Sequence, residues 1–158
     1  MRWCGAHRRL VWVLAAVIVA LAAGAVWLWT LPTNSDGLKV GDFGADEQQD
    51  WARRLVTGLN TSDAEQVPVL RLNGQLSREQ RKVIDATLPA AGCRYVLQSV
   101  TDRGKQTGKE VPGLPTAQSI YRFDAAVDEE CEGRPSRSRD IGVLAIVDMG
   151  YWEPYYFE

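Results

Sequence analysis

The sequence predicts an α+β domain behind an N-terminal transmembrane helix. Three observations carry this: an uncharged apolar run of 22 residues from Leu10 to Leu31, helical apolar spacing between Asp46 and Leu88, and a switch to period two after Cys93. The expected order is a tail over residues 1–9, a membrane helix over 10–31, a linker over 32–44 and a domain over 45–158. About three helices are expected to pack on a curved antiparallel sheet of about four strands.

At about 1.5 Å per residue the apolar run spans roughly 33 Å, enough for a hydrocarbon core of about 30 Å. Trp12 lies near one end and Trp27 and Trp29 near the other, as an aromatic belt requires. Pro32 stops the helix and Thr33–Asp36 opens the linker. Arg2, Arg8 and Arg9 precede the run, and Lys39 is the only basic residue in the 20 that follow. The positive-inside rule then puts the N-terminus in the cytoplasm and Asp36–Glu158 outside. A cleaved signal peptide is the alternative, because Ala23-Gly24-Ala25 matches a small-x-small site. Val26-Trp27-Leu28-Trp29 continues past that site, which favours an uncleaved anchor. Both readings export the same domain.

Leu38, Val40 and Phe43 are the linker's large apolar residues, expected to pack loosely on the domain. The first helix begins at Asp46, with Trp51, Leu55, Val56 and Leu59 on one stripe and Gly58 and Asn60 at its end. Asp46, Glu47 and Asp50 in its first turns suit the helix dipole. Ser62 or Asp63 is expected to cap a second short helix reaching Val69, limited by Pro68. A third starts at Ser77, where Ser77 and Gln80 make a capping box, and buries Val83, Ile84 and Leu88.

The strands follow. Arg94–Thr101 is the first, and Asp102–Thr116, with three glycines and two prolines, is read as a loop. Ala117–Asp128 is the second, with Tyr121, Phe123, Ala125 and Val127 on one face. Glu129–Ser138 is read as a turn region whose acidic residues meet Arg134, Arg137 and Arg139. Asp140–Asp148 is apolar on both faces, hence central. Met149-Gly150 turns into Tyr151–Phe157, which Pro154 assigns to an edge or a bulge. Simple alternation puts Tyr151, Tyr155 and Phe157 on one face and Trp152 and Tyr156 on the other.

Charge and chemistry narrow the function. From Asp36 onward 20 acidic residues face 15 basic ones, a net charge of −5, which disfavours nucleic acid as a partner. His7 is the only histidine and lies in the tail, so the exported part offers no Ser-His-Asp, Cys-His or His-metal arrangement. No metal and no cofactor is expected, and no catalytic residue is assigned. An isomerase-like site would draw on Tyr95, Tyr121, Asp124 and Asp148, but parity sends Tyr121 and Asp124 to opposite faces. Gly104-Lys-Gln-Thr-Gly-Lys109 lacks the Walker spacing and reads as a solvated loop. Cys93 precedes the first strand and Cys131 follows the second, so an antiparallel hairpin brings them together. An oxidising compartment favours a structural disulfide there, with free thiols as the alternative.

Trp51–Glu65 (WARRLVTGLNTSDAE) resembles the opening of nuclear-transport-factor-two-like domains, a long amphipathic helix running into a small-residue/Asp turn. Gly142–Pro154 (GVLAIVDMGYWEP) resembles their closing hairpin. The whole is similar to single-pass proteins of actinobacterial type that display such a cone-shaped domain outside the membrane, and 14 Arg against 4 Lys suit a GC-rich genome. A cystatin-like fold gives the same helix-on-sheet pattern. The resemblance implies that one sheet face lines a pocket; Tyr121, Phe123, Trp152, Tyr155, Tyr156 and Phe157 are the candidates for a ligand or partner surface, with core packing on one face and a covered edge on the other as the alternative. The family hosts enzymes, binders and interaction domains alike. The first expectation is therefore a non-enzymatic, membrane-anchored extracytoplasmic domain that binds a partner protein or envelope component. The second is a small apolar ligand pocket with weak isomerase-like acid/base chemistry.

Overall fold

The computed structural model describes residues 43–114 and 119–158. The expected membrane helix, its tail and most of the linker lie outside the described residues. Among the described residues no helix is long and apolar enough to cross a membrane.

The domain is α+β, with two α-helices and one four-stranded antiparallel sheet in the order β1-β2-β3-β4. The helices are α1 (Ala45–Leu59) and α2 (Arg78–Thr87); the strands are β1 (Cys93–Gln106), β2 (Ile120–Cys131), β3 (Arg134–Asp148) and β4 (Tyr151–Phe157). Each strand pairs with the next in sequence, the meander that short turns permit.

The stripe of α1 is buried through Ala52, Leu55, Val56 and Leu59. Gly44 at its N-cap has no side chain to offer, and the buried Gln48 amide instead donates 2.6 Å to the Phe43 carbonyl. Phe43 itself is 1% exposed, so the linker's end is core rather than loose packing. The expected second helix is only a 3-10 turn, Ala64–Gln66, capped by Asp63. Pro68 forces Val67 into an extended conformation, and too few residues remain before it for an α-turn. The capping box of α2 forms as read, with Ser77 and Gln80 bonded to each other's backbone.

Gly58 lies in the last turn of α1, and Asn60 is its C-cap, as the sequence suggests. A Cβ there would sit 2.7 Å from Pro68 Cδ, 2.8 Å from the Gln66 carbonyl and 2.9 Å from Val67 Cα. Alanine would gain about 1 kcal/mol of helix propensity, yet overpacking against backbone costs about 1–3 kcal/mol. The backbone of the 3-10 turn cannot yield as a side chain can, so Gly58→Ala is expected to lower stability in urea denaturation. A stabilised variant would refute the close approach.

The strands outrun their apolar cores. β1 continues to Gln106 through a bulge between Asp102 and Gly104, where Gly104 takes φ +73° and Asp102 Oδ1 accepts its N–H. The region read as a turn from Glu129 to Ser138 is mostly strand, folded over Glu132-Gly133. Its charges look like loop composition, but their side chains extend into solvent while the backbone pairs. The acidic residues find partners other than the arginines expected. Glu130 pairs with Arg94, Glu129 accepts from the Ala90 N–H, and Asp128 accepts from Ser138. Arg139 turns instead to the Tyr95 ring and hydroxyl.

Each edge strand of the sheet has one residue bonded by an amide side chain. Asn60 bonds both the N–H and the carbonyl of Tyr95 on β1. Gln80 donates to the Tyr155 carbonyl on β4. An amide that copies a strand's donor and acceptor removes a template for unwanted pairing.

Cys93 and Cys131 face each other across β1 and β2 and are joined by a disulfide. The hairpin reading of the sequence is therefore correct for this pair.

Candidate functional site

The six aromatic residues expected to line one wall divide between the two faces of the sheet. Tyr121, Phe123, Trp152 and Phe157 enter the core under the helices. Tyr155 belongs to a smaller cluster on the opposite face with Val111, Ile120, Leu144 and Ile146, and Tyr156 packs against it. Simple alternation along β4 fails at Pro154. Leu144 pairs with Tyr156 and Ala145 with Pro154, so Tyr155 is an extra residue in a bulge. The bulge shifts the parity and turns Trp152 and Phe157 to the same side. Proline lacks the N–H that a regular ladder needs, which explains why the irregularity sits there.

On the helix side the rings fill the interior. Phe43 stacks on Trp152 at 5.8 Å and meets Tyr121 and Phe123 edge-on at 5.5 and 5.7 Å. Of the six aromatic residues, all but Tyr156 are buried. The Tyr121 hydroxyl donates 2.9 Å to Asp102 on β1, while Asp124 lies on the other face as parity required.

A concave surface lies between the first turns of α1 and the start of β4. This groove has a volume of about 440 Å³ and is lined by Asp46, Glu47, Asp50, Trp51, Arg54, Tyr151, Trp152 and Glu153. Four carboxylates thus face one guanidinium, and that guanidinium lies 5.2 Å above the Trp51 ring. Arg53 pairs with Asp50 at 2.7 Å, both side chains well exposed, a contact of small worth in water. Burial pushes the Glu47 carboxyl above its ordinary value, and burial with the nearby Asp148 charge does the same for Glu153. Both respond as carboxylates do when they lack a cation.

The turn beside the groove is unusual. Met149 and Gly150 take φ +47° and +91°, the pair of left-handed residues that a tight hairpin needs. Asparagine or glycine normally fills the first position, whereas here an 88% exposed methionine does. Tyr151 follows it, 71% exposed. Among the described residues, Leu72, Met149 and Tyr151 are the large hydrophobic side chains left open to solvent.

Sequence reasoning missed this groove because its walls lie about a hundred positions apart in the chain. The surplus of aromatic residues in Tyr151–Phe157 was the available signal: one strand cannot bury them all. Asp46, Glu47 and Asp50 already have an explanation at a helix start, which hides their second setting.

A further polar cluster occupies the opposite sheet face. Asp124 is 6% exposed and accepts from Arg103 Nε at 2.6 Å and from Arg122 Nε at 2.9 Å, one carboxylate oxygen each. Burial alone would raise its pKa, but the hydrogen bonds and charges of the two arginines outweigh burial and hold it below 3.8. Among the described residues no group of three or more His, Cys, Asp or Glu side chains is arranged to hold a metal ion.

The fold and its surfaces define the class: a disulfide-linked α+β meander with an acidic, aromatic groove. No family model matches the chain, and neither a curated protein nor a solved structure is similar to it.

Proposed function

We propose that the chain is a single-pass, membrane-anchored protein whose domain lies outside the cytoplasm and binds a partner protein of the cell envelope through a basic segment. The groove beside the Met149–Tyr151 turn carries this reading. It combines open apolar area with a net negative charge that remains after Arg53 and Arg54 are counted, the complement of an aliphatic stem ending in an ammonium or guanidinium. A strained, exposed methionine adds nothing to the core, and such outliers collect at working surfaces. The absence of an exported histidine favours binding over acid/base catalysis. The 22-residue apolar run flanked by Arg8 and Arg9 supports the anchor, and the Cys93–Cys131 disulfide supports an oxidising compartment. Helices over one face of an antiparallel meander suit the nuclear-transport-factor-two-like reading.

The test places a photo-crosslinking residue at Tyr151 in the full chain, expressed in its native membrane. A discrete adduct with one protein is expected, and Glu153→Lys should abolish it without lowering the melting temperature. No adduct, or an adduct indifferent to Glu153→Lys, would overturn the binding role. Protease added to intact cells should digest a C-terminal tag; a protected tag beside a digested surface control would overturn the topology.

A pH dependence follows. A bound cation favours the ionised form of Glu47 and Glu153, so binding displaces protons from carboxyls whose values burial has raised above 4.5. Affinity is expected to rise with pH through that raised range and then level off, as followed by crosslinking yield. The stability contribution has the opposite slope: the folded form holds protons longer than the unfolded one and loses that advantage as pH rises through the same window.

A further inference from the structure

The face of the sheet opposite the helices carries arginine side chains arranged around one buried carboxylate, and the groove's proposed role does not use them. Asp124 holds Arg103 and Arg122 by their Nε atoms. Arg122 Nη1 reaches Glu158 at 3.2 Å, and Lys109 also pairs with Glu158. Among the described residues, Arg103 Nη1 and Nη2 have no hydrogen-bond partner. The Arg103 side chain is 52% exposed, so these two nitrogens form an end-on fork at a cleft of about 340 Å³ lined by Arg103, Gln106, Arg122 and Asp124.

Three features make this a prepared arrangement. Asp124 fixes the guanidiniums through bonds to the buried carboxylate, so little side-chain freedom is left to lose on binding. Gly142 lies across the ladder from Asp124 and leaves room: a Cβ there would come 3.3 Å from Arg122 Nη2 and 3.5 Å from Asp124 Oδ1. The Gln106 amide donates to the carbonyls of Arg103 and Gly104 at 3.1 Å each, which secures the backbone that carries the fork. Arg103, Arg122 and Lys109 set three positive side chains beside the side-chain carboxylates of Asp124 and Glu158.

We propose that this cleft binds a small oxyanion, a phosphate or carboxylate group, with Arg103 as its bidentate donor and Asp124 as a positioning residue. A planar guanidinium with both terminal nitrogens unpaired matches two oxygens of such a group. Lysine cannot copy that geometry although it keeps the charge.

The test titrates the full chain in detergent with inorganic phosphate, and separately with acetate, at ionic strength held constant with chloride. The arginine side-chain N–H resonances are followed by nuclear magnetic resonance. A saturable shift at Arg103 and Arg122 is expected from at least one anion. Tighter phosphate binding assigns a phosphoryl group, and equal or tighter acetate binding a carboxylate. Arg103→Lys is expected to weaken binding about tenfold with most of the stability kept, and Arg103→Gln further, with a lower melting temperature because the buried Asp124 loses one of its two partners. Gly142→Ala should also weaken binding, which a simple loss of charge would not explain. No saturation by either anion, or equal saturation in Arg103→Gln, would overturn the site. Should Arg103→Gln fail to fold, Arg103→Lys decides the question alone. Failure here leaves the acidic groove untouched, since the two surfaces share no residue.

Discussion

Phe43→Ala is expected to cost about 3–5 kcal/mol, the loss typical of a large aromatic removed from a packed core. The ring is 1% exposed and is the shared neighbour of Trp152, Tyr121 and Phe123, with centroid distances between 5.5 and 5.8 Å. Its backbone carbonyl accepts the Gln48 amide, and the substitution keeps that bond, so the measured loss belongs to the ring. Phe43→Leu retains most of the buried apolar volume and should recover a large part of the stability. Urea denaturation followed by near-ultraviolet circular dichroism provides the measurement. A loss below about 1 kcal/mol would mean that the end of the linker is dispensable to the core. The variant should also weaken the groove, because Trp152 lies in the groove wall and rests on Phe43.

The position of Phe43 shows what a linear reading can reach. Periodicity finds residues that share an element, and Phe43 belongs to none. It precedes α1 by two positions, so neither the helical stripe nor strand alternation includes it. Ser77 with Gln80 was legible because a capping box is local chemistry over four residues. The burial of β3 on both faces was legible for the same reason: Ile141, Val143 and Ala145 face one cluster, Leu144 and Ile146 the other. The limits of β1, β2 and β3 were not legible, because charged residues in a ladder resemble those of a loop until their partners are known. Pro154 marked an edge or bulge, and it marks both: β4 closes the sheet and Tyr155 bulges out of register. The sequence did not disclose that the bulge would turn Phe157 inward beside Trp152. For the surfaces the limit is distance along the chain. Parity separated Tyr121 from Asp124 correctly, but only the register brings Arg103, from a stretch read as loop, to Asp124 at 2.6 Å.

Loss of the Cys93–Cys131 disulfide is expected to lower stability by about 4 kcal/mol in the chain-entropy model, given a sequence separation of 38 residues. For a domain of this size that corresponds to a fall in melting temperature on the order of 15 °C. The bond joins directly opposed residues at the open end of the β1–β2 hairpin. There the sheet has little core to hold it: Arg134–Asp140 of β3 are all exposed. Pairing at that end therefore relies on backbone hydrogen bonds, the covalent link and exposed polar contacts such as Arg94–Glu130, and reduction should first release the hairpin ends. Hydrogen exchange under dithiothreitol should speed up at Arg94 and Glu130 before it does so at Ala125 and Val143, which lie in the core. The Cys93→Ala, Cys131→Ala double variant should reproduce the loss without reductant. Uniform loss of protection across the sheet would show that the link supports the whole meander, and no loss of stability would deny it any structural part. The same experiment bears on compartment. A domain that needs a cystine for much of its stability is poorly suited to the reducing cytoplasm, where thioredoxin and glutathione keep such thiols apart. A large effect of reduction would thus strengthen the case for export on grounds independent of the apolar run that precedes the domain.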